Sequence, residues 1–131
     1  MKVNVLLADD HKVIRLGSLF LVKEVFGNPV IREAGTWQDT VNTINEHPID
    51  LVILDIEIPG GLGVNMIPLL KTRKMGLKVL MLTASDEAVY ALRYLDQGAN
   101  GFIQKSAGEE ELKKAIQRVY DGKQYISSAV K

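Results

Sequence analysis

The sequence predicts a doubly wound α/β fold: a single five-stranded parallel sheet with five helices packed on its two faces. Three observations predict it. Short apolar runs alternate with amphipathic stretches five times within 131 residues. Two of the runs, 50–54 (DLVIL) and 77–82 (LKVLML), are almost continuously apolar, as strands covered on both sides are. Glycines 27, 76, 98 and 122 follow four of the amphipathic stretches, where a left-handed residue ends a helix at little cost.

Each element has its own justification. Strands are expected at 3–8 (VNVLLA), 30–34 (VIREA), 50–54, 77–82 and 101–103 (GFI). Helices are expected at 12–26, 37–46, 63–74, 86–97 and 107–121. In the first helix Val13, Leu16 and Phe20 recur at the spacing of a core-facing stripe. Trp37, Val41 and Ile44 do so in the second, Ala88, Leu92 and Leu95 in the fourth, and Leu112, Ile116 and Val119 in the fifth. Pro48 closes the second helix. Thr36 and Ser85 are good N-cap residues, and Ser106 with Glu109 spells a capping box. No repeat, low-complexity segment or second domain interrupts the pattern, so residues 1–131 read as one domain.

Composition narrows the function. Lys+Arg and Asp+Glu are 16 each, so no global basic field invites nucleic acid or an anionic membrane. Cysteine is absent, which excludes disulfides, zinc–thiolate sites and thiol catalysis. The opening MKVNVLLADD has too short an apolar run for a signal peptide, and no stretch approaches the ~20 apolar residues of a membrane span. These features point to a cytoplasmic domain.

In such sheets ligands bind beyond the carboxyl ends of the strands, at the point where strand order reverses. The first strand exits into Asp9 and Asp10, the third into Asp55, the fourth into Thr83, and the fifth is followed by Lys105. A strand order of 2-1-3-4-5 makes the first and third strands neighbours and gathers the three acids, with Thr83 and Lys105 beside them. Two like charges about 4 Å apart repel by about 4 kcal/mol at an effective dielectric of about 20. Three carboxylates at one point therefore call for a cation, and oxygen donors suit a hard ion such as Mg²⁺. Positive charge and a hydroxyl beside a carboxylate also suit phosphoryl transfer onto that carboxylate, with Asp55 as nucleophile. Taken singly, each residue has a plain explanation as a helix cap, a solvated turn or a surface charge. The order and spacing of all five carry the weight. His11 is read as an exposed helix start without a chemical role, His47 as a helix end and Trp37 as packing.

With "LLADDH" (6–11), "LVILDIEIPG" (51–60), "VLMLTAS" (79–85) and "GANGFIQK" (98–105), the chain resembles the receiver domain of response regulators, the CheY-like family with a flavodoxin-like fold, over essentially its whole length. "ALRYLDQGANGFIQKS" and "AIQRVYDGKQYIS" look most like the branch whose full-length members carry a LuxR-type helix-turn-helix output domain. The resemblance implies that Asp55 is the phosphoacceptor, charged by a histidine kinase or phosphotransfer protein. It implies that Asp9 and Asp10 help hold Mg²⁺ together with Asp55 and the backbone carbonyl of Glu57. It implies that Thr83 and Lys105 bind the phosphoryl oxygens, and that Thr83 and Phe102 form a switch that remodels an interaction surface. DNA would be reached only through an output domain, which the residues given do not contain, and the chain would form no membrane contact. The helix 4–strand 5–helix 5 face and the helix 1–helix 5 face both offer a homodimer surface. Ser106 stands where many receivers have proline, and Leu62 where an acid or amide often caps the third helix.

Three other readings compete with this one. A non-phosphorylated interaction module of the same fold would be favoured by loss of any of the five polar positions, and none is lost. A haloacid-type aspartyl phosphatase wants Asp-x-Asp, whereas this chain has "DIEIP". A flavin or dinucleotide site would need a Gly- or Ser/Thr-rich loop after the first strand, where "ADDHKV" is acidic.

Overall fold

The computed structural model describes residues 2–84 and 87–126. The elements run β1 (Asn4–Ala8), α1 (Lys12–Phe26), β2 (Val30–Ala34), α2 (Trp37–Glu46), β3 (Leu51–Asp55), α3 (Met66–Arg73), β4 (Lys78–Thr83), α4 (Glu87–Asp96), β5 (Gly101–Gln104), α5 (Glu109–Tyr120) and β6 (Tyr125–Ile126). The sheet order is β2-β1-β3-β4-β5-β6, and every pairing is parallel. The doubly wound architecture and the order of the first five strands are as predicted. The strand count is not: a sixth, two-residue strand pairs with β5, matching Gly101 with Tyr125 and Phe102 with Ile126. So short a segment carries no periodicity of its own. It becomes a strand only because β5 offers it an unpaired edge.

Period-two alternation divides the strands between two cores. Leu6, Val52, Leu54, Val79, Met81 and Phe102 face Trp37 and Ile44 of α2, Met66, Ile67 and Leu70 of α3, and Ala91 and Tyr94 of α4. Val5, Leu7, Leu51, Ile53, Leu80, Leu82 and Ile103 face Leu21 and Val22 of α1 and Ala115, Ile116 and Val119 of α5. Burying a side chain of this size contributes about 1.5–3 kcal/mol. The two apolar layers thus supply the stability that lets charged groups be buried at the sheet's end.

Local signals mostly act as the sequence reads. Thr36 caps α2 by accepting the Asp39 N–H at 3.1 Å. Gly27, Gly76, Gly98 and Gly122 all have positive φ, at 81°, 83°, 112° and 87°. Several expectations need correction. Val13, Leu16 and Phe20 do not face the core: they are 81%, 55% and 59% exposed, and α1 buries Leu21 and Val22 instead. In α4 Leu92 is 64% exposed, while Ala91 and Tyr94 take the buried side. The Ser106–Glu109 capping box does not form. Helix α5 starts at Glu109 with Gly108 as its N-cap, and Ser106 stays in the turn after β5. The third helix opens as a 3₁₀ turn over Gly63–Asn65, and Leu62 supplies no side-chain cap. The predicted cap at Ser85 and the stripe position Ala88 lie outside the described residues and side chains.

Candidate functional site

Because all strands run parallel, β1, β3, β4 and β5 deliver their last residues to one edge, and β1 and β3 flank the switch point of strand order. Asp9 follows β1 and continues its pairing with β2 through a 3.0 Å bond from its N–H to the Ala34 carbonyl. That bond fixes its backbone, and its side chain is buried. Asp10, one residue on, is exposed. Asp55 ends β3 and is 2% exposed. Thr83 ends β4 and is fully buried. It stands one step beyond Leu82, the register partner of Asp55. Lys105 follows β5, with its backbone N–H on the Thr83 carbonyl at 2.6 Å.

The structure brings Asp9, Asp10, Asp55 and Lys105 together. Lys105 Nζ lies 2.9 Å from Asp9 Oδ2 and 3.4 Å from Asp55 Oδ2. Neither of those oxygens accepts a directed hydrogen bond, so the ammonium holds them by Coulomb attraction rather than by a well-aimed N–H. Asp55 Oδ1 accepts the Glu57 N–H at 3.2 Å, which turns the loop after β3 back over the carboxylate. Burial pushes the Asp55 carboxyl above its ordinary value, and the nearby Asp9 charge adds to this. The Glu57 N–H and Lys105 oppose the rise.

Two predicted residues sit differently from that cluster. Glu57 reaches it through its backbone. Phe102 lies inside the core with no exposed surface, its ring 5.8 Å from that of Tyr94 on α4. It is two residues before Gln104, the register partner of Thr83, and so joins the β4 end to α4.

Two residues enter the site that the sequence reading left out. His11, read as having no chemical role, is part of the cluster. Its N–H donates to Asp9 Oδ1 at 2.9 Å, and its Nδ1 lies 2.8 Å from the same oxygen. That Nδ1 is 3.4 Å from Asp10 Oδ1 and 3.9 Å from Asp55 Oδ2. Its place directly after the acid pair was the available signal, but one turn of helix decides where the ring points. Arg15 donates from Nη1 to the Asp9 carbonyl at 2.6 Å and from Nε to Glu33 at 2.9 Å, tying α1 and β2 to the backbone of the acids. Nothing in residue spacing indicates that reach.

The donor set fits a hard divalent ion. Oxygens of Asp9, Asp10 and Asp55 and the His11 nitrogen all lie within 4.8 Å of one another. Asp9 Oδ2 and Asp55 Oδ2 are buried without directed hydrogen bonds, and the single Lys105 charge that meets both stands against three carboxylates. The pocket is compatible with Mg²⁺. No helix among the described residues is long and apolar enough to cross a membrane.

Comparison with known proteins agrees with this geometry. Residues 5–117 match the family model described as "Response regulator receiver domain". Response regulator UvrY of Escherichia coli is 31% identical over 128 residues, covering 98% of this chain and 59% of that protein. Response regulator GacA of Pseudomonas aeruginosa is 30% identical over 128 residues, covering 98% of this chain and 60% of that protein. The chain thus spans about three-fifths of the length of the curated relatives it matches. A crystal structure of a LuxR-family two-component response regulator from Aurantimonas superimposes with a TM-score of 0.89 at 25% identity, covering 99% of this chain and 93% of that one. The chain belongs to the response regulator receiver domains, the phosphorylation-controlled switches of two-component signalling.

Proposed function

We propose that Asp55 is the phosphoacceptor of this receiver. A histidine kinase or phosphotransfer protein donates the phosphoryl group, with Mg²⁺ held by Asp9, Asp10, Asp55 and the Glu57 backbone carbonyl. The observation that carries this reading is the position of Asp55: a buried carboxylate at the end of β3, 3.4 Å from the Lys105 ammonium and within the donor cluster. In the transfer, an Asp55 oxygen attacks phosphorus. The bond from phosphorus to the donor breaks, and the leaving group keeps its electron pair. Burial makes the carboxylate more basic and so a better nucleophile, while Lys105 opposes its protonation. Lys105 and the Thr83 hydroxyl then bind the oxygens of the transferred group. Bound Mg²⁺ supplies further neutralisation of charge on those oxygens. The domain acts as a phosphoacceptor, with slow self-dephosphorylation at most.

The switch follows from connectivity. Thr83 ends β4, and Phe102 on β5 packs against Tyr94 of α4, so a pull on Thr83 is felt where the aromatic pair holds α4. A new local charge biases an element with two arrangements, and the α4–β5–α5 surface changes with it. The LuxR-type relationship supports control of a transcriptional output domain, with DNA contacted there rather than by these residues. A cytoplasmic setting and homodimerisation through a helical face belong to the same reading.

The test is intact-mass measurement after incubation with Mg²⁺ and acetyl phosphate. The chain should gain one phosphoryl group, and Asp55→Asn should gain none. No gain with several donors would favour an inert interaction module of the same fold.

A further inference from the structure

We propose that His11 Nδ1 is a nitrogen donor to the metal at this site, so that the pocket prefers a divalent transition ion such as Mn²⁺ or Ni²⁺ more strongly than its oxygen donors alone would. The inference rests on the phosphoacceptor reading only in placing a divalent ion among Asp9, Asp10 and Asp55. Three observations carry it.

The first is convergence. Nδ1 stands 2.8, 3.4 and 3.9 Å from oxygens of Asp9, Asp10 and Asp55. Lys105 Nζ lies 3.1 Å from the same nitrogen, so His11 and the acids already gather around a positive charge. The second is the pair of buried carboxylate oxygens, Asp9 Oδ2 and Asp55 Oδ2, that lack directed hydrogen bonds. The Asp55 side chain is 1% exposed. The one Lys105 charge, 2.9 and 3.4 Å from those oxygens, offsets one of three carboxylates and leaves a divalent ion to balance the rest, independently of the histidine. The third is that His11 occupies the N-cap position of α1 yet makes no side-chain cap bond. Histidine is not among the favoured caps. Its Nδ1 is turned to the carboxylates instead, while the side chain as a whole stays 60% exposed.

The chemistry follows from donor type. Carboxylate and carbonyl oxygens suit Mg²⁺, whereas imidazole suits Ni²⁺, Cu²⁺ and Zn²⁺, and affinity for a mixed site rises from Mn²⁺ to Ni²⁺. As a ligand, Nδ1 presents its lone pair to the ion, and the ring proton sits on Nε2.

The experiment uses the metal alone, Mg²⁺, Mn²⁺ or Ni²⁺, titrated into wild type, His11→Ala and His47→Ala. His47 ends α2 and is the chain's other histidine, so it serves as the control. Loss of a partner behind a ligand already costs about 10–100-fold in metal affinity, so losing a direct donor should cost Ni²⁺ at least about tenfold. Mg²⁺ affinity should change little in His11→Ala, and His47→Ala should match wild type. Pulsed EPR of bound Mn²⁺ in protein labelled with ¹⁵N-histidine should show a nitrogen coupling in wild type and in His47→Ala that His11→Ala lacks. Mn²⁺ binding without that coupling, or equal loss of Mg²⁺ and Ni²⁺ affinity in His11→Ala, would overturn the assignment and leave the phosphoacceptor reading standing. Absence of any divalent binding would overturn both.

Discussion

The two helical layers of this receiver cover cores of different size. On one side of the sheet α2, α3 and α4 cover the larger one, while turning Leu69 and Leu92 to the surface. Trp37, Met66, Ile67, Leu70 and Tyr94 are buried there, and Phe102 beneath them has no exposed surface. On the other side α1 buries Leu21 and Val22 but turns Val13, Leu16 and Phe20 to the surface. Some of these line a groove with Leu112 of α5, whose floor includes Leu82 and whose rim includes Lys105 of the site. An apolar stripe at helical spacing thus reports an amphipathic helix, not which of its apolar rows faces the core. The aromatic proposed as a switch lies in the larger of the two cores.

Substitutions test the two layers separately. The largest effect is expected at Phe102. Phe102→Ala removes a fully buried ring and its contact with Tyr94, and should destabilise by about 3–5 kcal/mol in urea unfolding. Gly101, the neighbouring residue, tests how tightly the opposite layer closes over β5. A Cβ there would stand 2.7 Å from Val119 Cγ2 and 2.9 Å from Leu80 Cδ1. Gly101→Ala should therefore cost about 1–3 kcal/mol, and a neutral result would show that α5 yields more readily than its packing implies.

A smaller effect is expected at Asp55, and it has a sign in pH. Its carboxyl is raised above its ordinary value of 3.8, mainly by burial. Between the unfolded and the raised value the folded chain binds more protons than the unfolded one, so stability falls as pH rises through that range. Without divalent metal, Asp55→Asn should unfold later than wild type at neutral pH, and its advantage should vanish as pH falls below the unfolded value. Thermal melts across that range, with and without Mg²⁺, check it. The smallest effect belongs to the outer apolar row of α1. Val13→Ser and Phe20→Ser remove apolar groups that are 81% and 59% exposed, and each should change stability by no more than about 0.5 kcal/mol. A larger loss would mean that the stripe is covered in solution.

Much of this architecture was legible in the chain. Apolar runs gave five of the strands, positive-φ glycines marked four helix ends, and Thr36 announced its own cap, because each of these is a local effect of backbone sterics or hydrogen bonding. The polar residues at the strand exits could be gathered because parallel topology puts all exits on one edge. What was not legible depends on neighbours distant in sequence. Tyr125 and Ile126 become a strand only beside Gly101 and Phe102. Ser106 and Glu109 have capping-box spacing, yet the turn after β5 holds Ser106 away and Gly108 takes the cap. The type and position of His11 suit an exposed helix start. Only the folded chain puts its Nδ1 2.8 Å from Asp9 and 3.1 Å from Lys105.

The central claim is that one buried carboxylate, and not its neighbours Asp9 or Asp10, carries the phosphoryl group. Borohydride reduction of the phosphorylated chain followed by peptide mapping tests it most directly, since an acyl phosphate is reduced to the alcohol at the residue that bore it. A single reduced position, Asp55, is expected within LVILDIEIPG (51–60). Reduction at Asp9 or Asp10, or a stable phosphoryl group that survives in Asp55→Asn, would contradict it.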